Sequence, residues 1–362
     1  MGDTQNIFVS EHNIYVTYKK AQRVPDQYGI DKEIVKKAVP VVGGAIAPVM
    51  PMPRIGYSDE TMIHRISIDD GMIGYAGSGE VPGHPLNQFS MDEHDGFFRI
   101  ATTEGEVARS AGQSASKNNI YVLDMDLEIV GRVEGLAPGE KIYSARFMGD
   151  RAYLVTFRKV DPLFVIDLKD AENPKVLGKL KIPGYSDYLH PVDETHLIGL
   201  GKDAIPADEG DFSYYQGVKI SLFDVSDVDH PIEVSNFKIG DRGTESLALH
   251  DHKAFLFDKE RNLLVIPIQL SEIDRDAFSG HIPPYQSGEF TYQGAYVFRI
   301  DSEDGFELRG RITHSGEEME DQSFLKSGYY DSRYSIKRSL FIGDTLYTVS
   351  DRMVKMNDLG DL

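Results

Sequence analysis

The sequence predicts an all-β protein, a β-propeller of about six four-stranded blades. Three observations predict this fold: apolar residues alternate at period two in short runs, long helical periodicity is nearly absent, and one multi-strand unit recurs along the chain. The chain has 362 residues, of which 41% are hydrophobic. It is therefore long enough to bury a substantial core.

The individual strands are recognised by β-branched or aromatic residues at every second position, with turn residues at each end. The clearest runs are Asn13–Tyr18, Met62–Ile68, Asn119–Met125, Arg151–Phe157, Lys219–Val225 and Gly294–Ile300. Helix signals are few: Asp31–Val39 starts at an aspartate and stops before Pro40, and Ser271–Phe278 is a weaker candidate. The expected helices are short insertions in a β fold.

The repeated unit has a fixed order of features. An apolar strand reaches an aspartate, a polar turn follows, a second strand returns, and the unit usually closes on Pro-Gly or Gly-Asp. The aligned aspartates are Asp69, Asp124, Asp167, Asp224 and Asp301. Two more strands joined by a Gly-Asp turn precede the unit, most clearly in EKIYSARFMGDRAYLVTF (Glu140–Phe157).

These units have the organisation of propeller blades. They begin near Asn6, Gln88, Glu140, Tyr185, Thr244 and Tyr334, and the last is short. A single four-stranded blade cannot bury both of its faces, whereas blades packed radially cover each other and leave only short edges.

Composition excludes several classes of function. The formal net charge of -20 argues against nucleic acid as a general partner, because phosphate binding needs a basic surface. The absence of cysteine excludes disulfides, thiolate metal sites and cysteine nucleophiles. No apolar run approaches the roughly 18 residues of a membrane helix, so we expect no membrane span in this chain.

Several long segments carry a more specific signal, among them NQFSMDEHDGFFRIATT (Asn87–Thr103), LGKLKIPGYSDYLHP (Leu177–Pro191) and RSLFIGDTLYTVS (Arg338–Ser350). They resemble a family of secreted β-propeller proteins distantly related to WD repeats, known largely from archaea and some bacteria. The resemblance implies a propeller outside the cell or on its envelope. It supplies no catalytic residues and no established biochemical activity.

The resemblance also implies a domain organisation. Members of the family begin with a signal or anchor and further propeller strands, so we expect residues 1–362 to be one propeller domain without those N-terminal blades and signal segment. The opening MGDTQNIF lacks a charged and an apolar signal region, so we expect no signal peptide here. A Pro-rich loop with a short helix is expected as an insertion at 20–58.

The stretch DEHDG is the first candidate site. Carboxylates at Asp92, Glu93 and Asp95 could offer oxygen ligands to calcium, although their spacing does not match a calcium-binding loop. The alternative is a plain two-strand connection with Asp95-Gly96 as the turn pair. The sequence establishes no cofactor, and calcium is the candidate for this stretch.

Histidines offer a second kind of metal site. His250 and His252 would face the same side if they lay on a strand, and a third ligand such as His84, His94 or His190 could then complete a transition-metal site. The alternative is that these histidines are individually hydrogen-bonded or exposed.

Charged residues near the unit boundaries are the third candidate. In a propeller they would surround an axial funnel, where ligands commonly sit. The candidate ligand-binding residues are Arg99, Arg146, Asp161, Asp187, His190, Arg242 and His252. Either the arginines pair with carboxylates such as Asp161, Asp187 or Asp241 to brace adjacent blades, or they form a funnel that accepts an anion or a glycan.

These observations favour a non-enzymatic extracellular or envelope propeller that binds a cell-surface protein or glycan, because repeats are present without catalytic motifs. The alternative is a metal-dependent hydrolase or lyase in the funnel, with His84, His190, His250 or His252 as ligands.

Overall fold

The computed structural model describes residues 5–23, 55–69, 71–106, 116–157, 161–207, 212–315 and 332–362. Within these ranges the chain forms five four-stranded antiparallel sheets and one three-stranded sheet. The predicted propeller is confirmed. The predicted insertion at 20–58, with its helix candidate Asp31–Val39, falls mostly in 24–54, outside the described residues.

The strands follow one another along the chain, blade by blade. Blade 1 has β1 (Gln5–Val9), β2 (Asn13–Arg23), β3 (Ile55–Asp69) and β4 (Met72–Pro82). Blade 2 has β5 (Met91–His94), β6 (Phe97–Glu104), β7 (Lys117–Leu123) and β8 (Ile129–Leu136). Blade 3 has β9 (Lys141–Met148), β10 (Arg151–Phe157), β11 (Asp161–Asp167) and β12 (Lys175–Ile182).

The second half repeats this order. Blade 4 has β13 (Tyr185–Pro191), β14 (His196–Pro206), β15 (Ser213–Asp224) and β16 (Ile232–Ile239). Blade 5 has β17 (Leu256–Asp258), β18 (Leu263–Glu272), β19 (Glu289–Asp301) and β20 (Gly305–Ile312). Blade 6 has β21 (Arg338–Ile342), β22 (Thr345–Val349) and β23 (Val354–Asp358).

Helical structure in the described ranges is limited to short 3-10 turns. They span Gln88–Ser90, Leu247–Leu249, His252–Ala254, Arg275–Ala277 and Ser332–Tyr334. The helix candidate Ser271–Phe278 is instead a strand end followed by one such turn. Two of the turns also delay the first strand of blade 5, which begins at Leu256 rather than near Thr244. No helix in the described part of the chain has the length or apolarity to cross a membrane.

The core lies between the blades. Each pair of consecutive blades shares one apolar cluster, from blades 1 and 2 through to blades 5 and 6. Between blades 1 and 2, for example, the ring of Tyr15 stacks on that of Phe98 with centroids 4.1 Å apart. Because consecutive sheets pack face to face, they bury apolar side chains that a single sheet would leave exposed.

Candidate functional site

An axial cavity of about 510 Å³ lies where the innermost strands of four blades meet. β1, β5, β9 and β13 each contribute to its wall, together with the 3-10 turn before β5. Its lining residues are Ile7, Phe8, Val9, Gln88, Phe89, Met91, Asp92, Arg146, Phe147 and Pro191. The lining of the cavity is mixed polar and apolar, and its charged side chains are Asp92 and Arg146.

Phe89 lies near the axis, because its ring contacts side chains from blades 3 and 4 and from the segment before blade 5. Its ring lies 5.4 Å from that of Tyr188 in blade 4 and 4.9 Å from that of His252, just before blade 5. The guanidinium of Arg146, from blade 3, stacks 4.9 Å from the same ring. The side chain of Asn87 caps the turn by accepting a 2.9 Å hydrogen bond from the Phe89 backbone N–H. The cap fixes the direction in which the phenylalanine points.

Arg146 is the cationic side chain in the cavity wall, and it forms no ion pair with another described residue. It is half-buried, and no hydrogen bond from its guanidinium to another described residue is formed. Burial lowers the pKa of Arg146, while Tyr188 and Asp92 act in the opposite direction. An arginine keeps its charge at neutral pH despite such a shift. The cavity therefore presents a charged, planar donor group to whatever fills it.

Arg99, the other predicted arginine of this region, braces two blades. It is 2% exposed, donates from Nε to Asp92 at 3.0 Å, and donates to the Gly149 carbonyl of blade 3 at 2.7 Å. Its guanidinium also lies 5.4 Å from the centre of the Phe147 ring. Arg99 and Asp92 thus satisfy each other, as the bracing interpretation predicts, although the carboxylate partner is one that the sequence did not suggest.

In the stretch DEHDG, Asp92, Glu93 and His94 belong to β5, and Asp95-Gly96 forms the turn to β6. Asp95 and Gly96 both have positive φ, 48° and 77°, as a two-residue hairpin turn requires. Glu93 points away from Asp92 and accepts hydrogen bonds from Tyr15 Oη (2.7 Å), Ser10 Oγ (2.8 Å) and Asn13 Nδ2 (3.0 Å). Burial and this carboxylate raise the pKa of Tyr15.

The three carboxylates predicted to hold calcium therefore serve different partners. Asp92 binds Arg99, Glu93 binds blade 1, and the side chain of Asp95 is 82% exposed. A different group brings three potential ligand atoms within 4.8 Å of one another in the described part of the chain: His94, Asp95 and Asp150. The His94 imidazole Nε2 lies 3.5 Å from a carboxylate oxygen of each aspartate.

Among the described residues, the predicted histidine ligands do not bring their ring nitrogens together as one metal-binding group. His84 lies 3.2 Å from Asp59 and 3.1 Å from Thr61 Oγ1 at the edge of blade 1. His190 contacts the Tyr188 hydroxyl at 3.0 Å, and burial, aided by the nearby Arg146 charge, lowers the pKa of His190 to about 4. His252 packs on Phe89.

The expectation that His250 and His252 share one side of a strand is wrong. Both lie in or beside 3-10 turns, because the side chains of Ser246 and Asp251 cap successive turns there.

The remaining predicted residues lie elsewhere. Asp187 and Arg242 are at the opposite end of the inner strands, where Arg242 donates to the Tyr215 carbonyl at 3.0 Å. Asp161 is the first residue of β11, and its side chain is outside the described part. Asp241 pairs with Arg275 at 2.9 Å. Of the predicted ligand-binding set, Arg99, Arg146, His190 and His252 are therefore the ones gathered around the axis.

Sequence reasoning missed the aromatic residues of both axial ends. Phe89 has no repeat or motif signal of its own. At the other end, Tyr143, Tyr185 and Tyr215 pack over the buried Phe157. The tyrosine-rich words YSDY and YYQG could have indicated the latter group.

Comparisons with known proteins agree with this architecture. The model of the family described as "Beta propeller domain" matches residues 1–362. An uncharacterised protein of Methanocaldococcus jannaschii is 39% identical over 290 residues, which cover 80% of this chain and 37% of that protein. An uncharacterised protein of Archaeoglobus fulgidus is 42% identical over 191 residues, which cover 53% of this chain and 27% of that protein. The chain thus spans well under half the length of these curated relatives.

Proposed function

This chain belongs to the β-propeller domain family, and from that premise we propose that it is a non-enzymatic binding module whose axial cavity accepts an anionic group of a surface protein or glycan. Propellers serve as binding or scaffolding modules in general, because radial repetition gives a rigid disc with exposed ends. The resemblance to secreted propellers supports a location outside the cell or on its envelope. Because one fold can host many functions, the ligand has to be inferred from the residues of the site.

The observation that carries the proposal is the Arg146 guanidinium in the cavity wall. It is held in place by stacking on Phe89, and the neighbouring carboxylate, Asp92, is already paired with Arg99. A carboxylate or sulfate entering the cavity would find two parallel N–H donors and an apolar wall. Such an anion is the ligand chemistry shared by acidic peptides and acidic glycans.

Isothermal titration calorimetry with acidic oligosaccharides and carboxylate-rich peptides tests the proposal. Arg146→Ala should weaken binding about 30-fold or more, because removing a desolvated charge partner costs roughly 2 kcal/mol or above. Arg146→Lys should retain part of the affinity, since it keeps the charge but loses the bidentate geometry.

Arg132→Ala is the matched control, because Arg132 is an exposed arginine on the outer strand β8. Equal losses in Arg146→Ala and Arg132→Ala would show only a general effect of charge. Turnover on a broad hydrolase panel, abolished by Arg146→Ala, would contradict a non-enzymatic role and favour the hydrolase or lyase alternative.

Calcium binding at Asp92, Glu93 and Asp95 stays a prediction. The group His94, Asp95 and Asp150 would suit a transition metal better than calcium, because it includes an imidazole. Elemental analysis of protein purified without added metal separates these outcomes.

A further inference from the structure

A second candidate surface lies at the other end of the inner strands, built from three tyrosines. Here the tyrosine cluster means Tyr143, Tyr185 and Tyr215, which come from blades 3 and 4 and pack over Phe157. Ring centroids are 4.7 Å apart for Tyr143 and Tyr185 and 5.0 Å apart for Tyr185 and Tyr215. The hydroxyls of Tyr143 and Tyr215 lie 3.3 Å apart, and Tyr215 is 36% exposed.

The tyrosine cluster is separate from the axial cavity. Tyr143 lies near the beginning of β9, whereas Arg146 and Phe147 lie near its end. Tyr185 begins β13, whereas Pro191, which lines the cavity, ends it. Because a strand rises about 3.3 Å per residue, the ends of β13 are about 20 Å apart.

Both hydrogen-bond donors and hydrogen-bond acceptors surround the tyrosine cluster. The Lys141 ammonium sits 5.1 Å from the centre of the Tyr143 ring, and Lys202 pairs with Glu245 at 2.8 Å. Asp187 is close enough to Tyr185 to contribute to the raised pKa of that phenol, after the larger effect of burial. No described residue makes a hydrogen bond to the Asp187 carboxyl. The site therefore offers ammonium and phenol donors, carboxyl acceptors and aromatic rings within one small area.

We infer that the tyrosine cluster, together with Asp187 and Lys141, is a second binding site that takes a neutral saccharide. A pyranose presents hydroxyls that both donate and accept, and a face of C–H groups with partial positive charge. The carboxyl and ammonium groups match the hydroxyls, and the electron-rich face of an exposed tyrosine matches the C–H face. A site of aromatic walls with a few polar groups is the common form of a small-molecule site.

The test is calorimetric titration of the 362-residue protein with neutral oligosaccharides of glucose, mannose, galactose and N-acetylglucosamine. Tyr215→Ala should weaken binding at least about tenfold, since an exposed aromatic anchor is lost. Asp187→Asn should also weaken it, because the amide accepts hydroxyl donors less strongly than the carboxylate. Tyr215→Phe should fall between the wild type and Tyr215→Ala.

Tyr75→Ala is the matched control, because Tyr75 is 67% exposed on blade 1, away from both axial ends. Near-ultraviolet circular dichroism confirms that each variant is folded. Arg146→Ala should leave neutral saccharide binding intact. The proposal for the tyrosine cluster is therefore tested independently of the proposal for the axial cavity.

Three results would overturn the inference: no binding by any of these saccharides, equal binding by Tyr215→Ala, or preferential binding of a proline-rich peptide that Tyr215→Ala abolishes. The last would assign the cluster to peptide recognition instead.

Discussion

At the scale of single residues, Asp187 shows how a local irregularity creates a functional candidate. Ser186 pairs with Gly201 and Tyr188 pairs with Leu200, so Asp187 is the extra residue of a β-bulge in β13. A bulge redirects the side chain it carries. Burial raises the pKa of Asp187 to about 7, with Glu245 adding to the rise and Lys202 and Lys141 opposing it. The sequence indicated a charged residue here, but the bulge depends on pairing that no local pattern reveals.

Asp187→Asn should change how stability depends on pH. Between the ordinary aspartate value of 3.8 and about 7, the folded state binds this proton more tightly than the unfolded state does. The stability that Asp187 contributes is therefore greatest at low pH and falls as the pH rises towards 7. Asn carries no charge, so the variant should be more stable than the wild type at pH 8 by roughly 1–3 kcal/mol, with the gap closing near pH 4.

Urea unfolding at several pH values measures this difference. Asp95→Asn, which removes an exposed carboxylate in a hairpin turn, controls for the loss of one negative charge from a chain of net charge -20. A constant difference between Asp187→Asn and the wild type from pH 4 to 8 would contradict the assignment.

At the scale of elements, a repeated glycine explains how one blade fits under the next. Gly79, Gly131 and Gly178 lie on the outermost strands of blades 1, 2 and 3. An added Cβ there would come within 2.3, 2.0 and 2.3 Å of a backbone oxygen in the outer turn of the following blade. Blade 4 reverses the arrangement, because its Ser235 faces Gly305 of blade 5. Close contact needs a missing side chain on one of the two partners.

Gly178→Ala should therefore destabilise the protein, by about 1–3 kcal/mol or more, because its methyl group would meet the Val228 carbonyl. Gly310 on the outer strand of blade 5 is the matched control: its nearest neighbour would be 3.7 Å away. Gly310→Ala should be neutral or slightly stabilising, since alanine restricts the unfolded chain. Thermal unfolding of both variants measures the difference in stability. Equal destabilisation by Gly178→Ala and Gly310→Ala would show that contact between blades does not explain the loss.

The strands were largely predictable because their signals are local. Period-two alternation and the turn aspartates define most strands of blades 2 to 5, and Asp167, Asp224 and Asp301 each end a third strand. The reason for the recurring glycine was not predictable, because its partner is a turn some 40–50 residues later in the chain. Likewise, the 3-10 turns before blade 5 depend on side-chain caps from Ser246 and Asp251 that resemble ordinary loop residues.

At the scale of the whole molecule, the axial site is formed by segments that are distant along the chain. Phe89, Arg146, Tyr188 and His252 converge although about 160 residues separate the first from the last. The sequence could place charged residues near the unit boundaries, and it identified Arg146, His190 and His252 in this way. It could not show that Arg99 would be paired and Arg146 left facing the cavity, since that depends on how side chains of neighbouring strands and blades meet in three dimensions.

The blade series also leaves one face exposed on blade 6. Ile342, Val354 and Met356 are 66%, 59% and 65% exposed there. In contrast, residues that lie between two blades, such as Val265, are fully buried. A contiguous exposed apolar face of this kind promotes association. Ile342→Lys combined with Met356→Lys should therefore change the free energy of unfolding by no more than about 1 kcal/mol and reduce concentration-dependent self-association, measured by sedimentation velocity.

Val265→Lys serves as the contrast, because a lysine in the interface between blades 5 and 6 would bury an unpaired charge and prevent folding. If the paired lysine variant associates as readily as the wild type, the blade 6 face is not responsible. If it unfolds like Val265→Lys, that face is covered in solution, and the packing that stabilises blades 2 to 5 extends beyond blade 6.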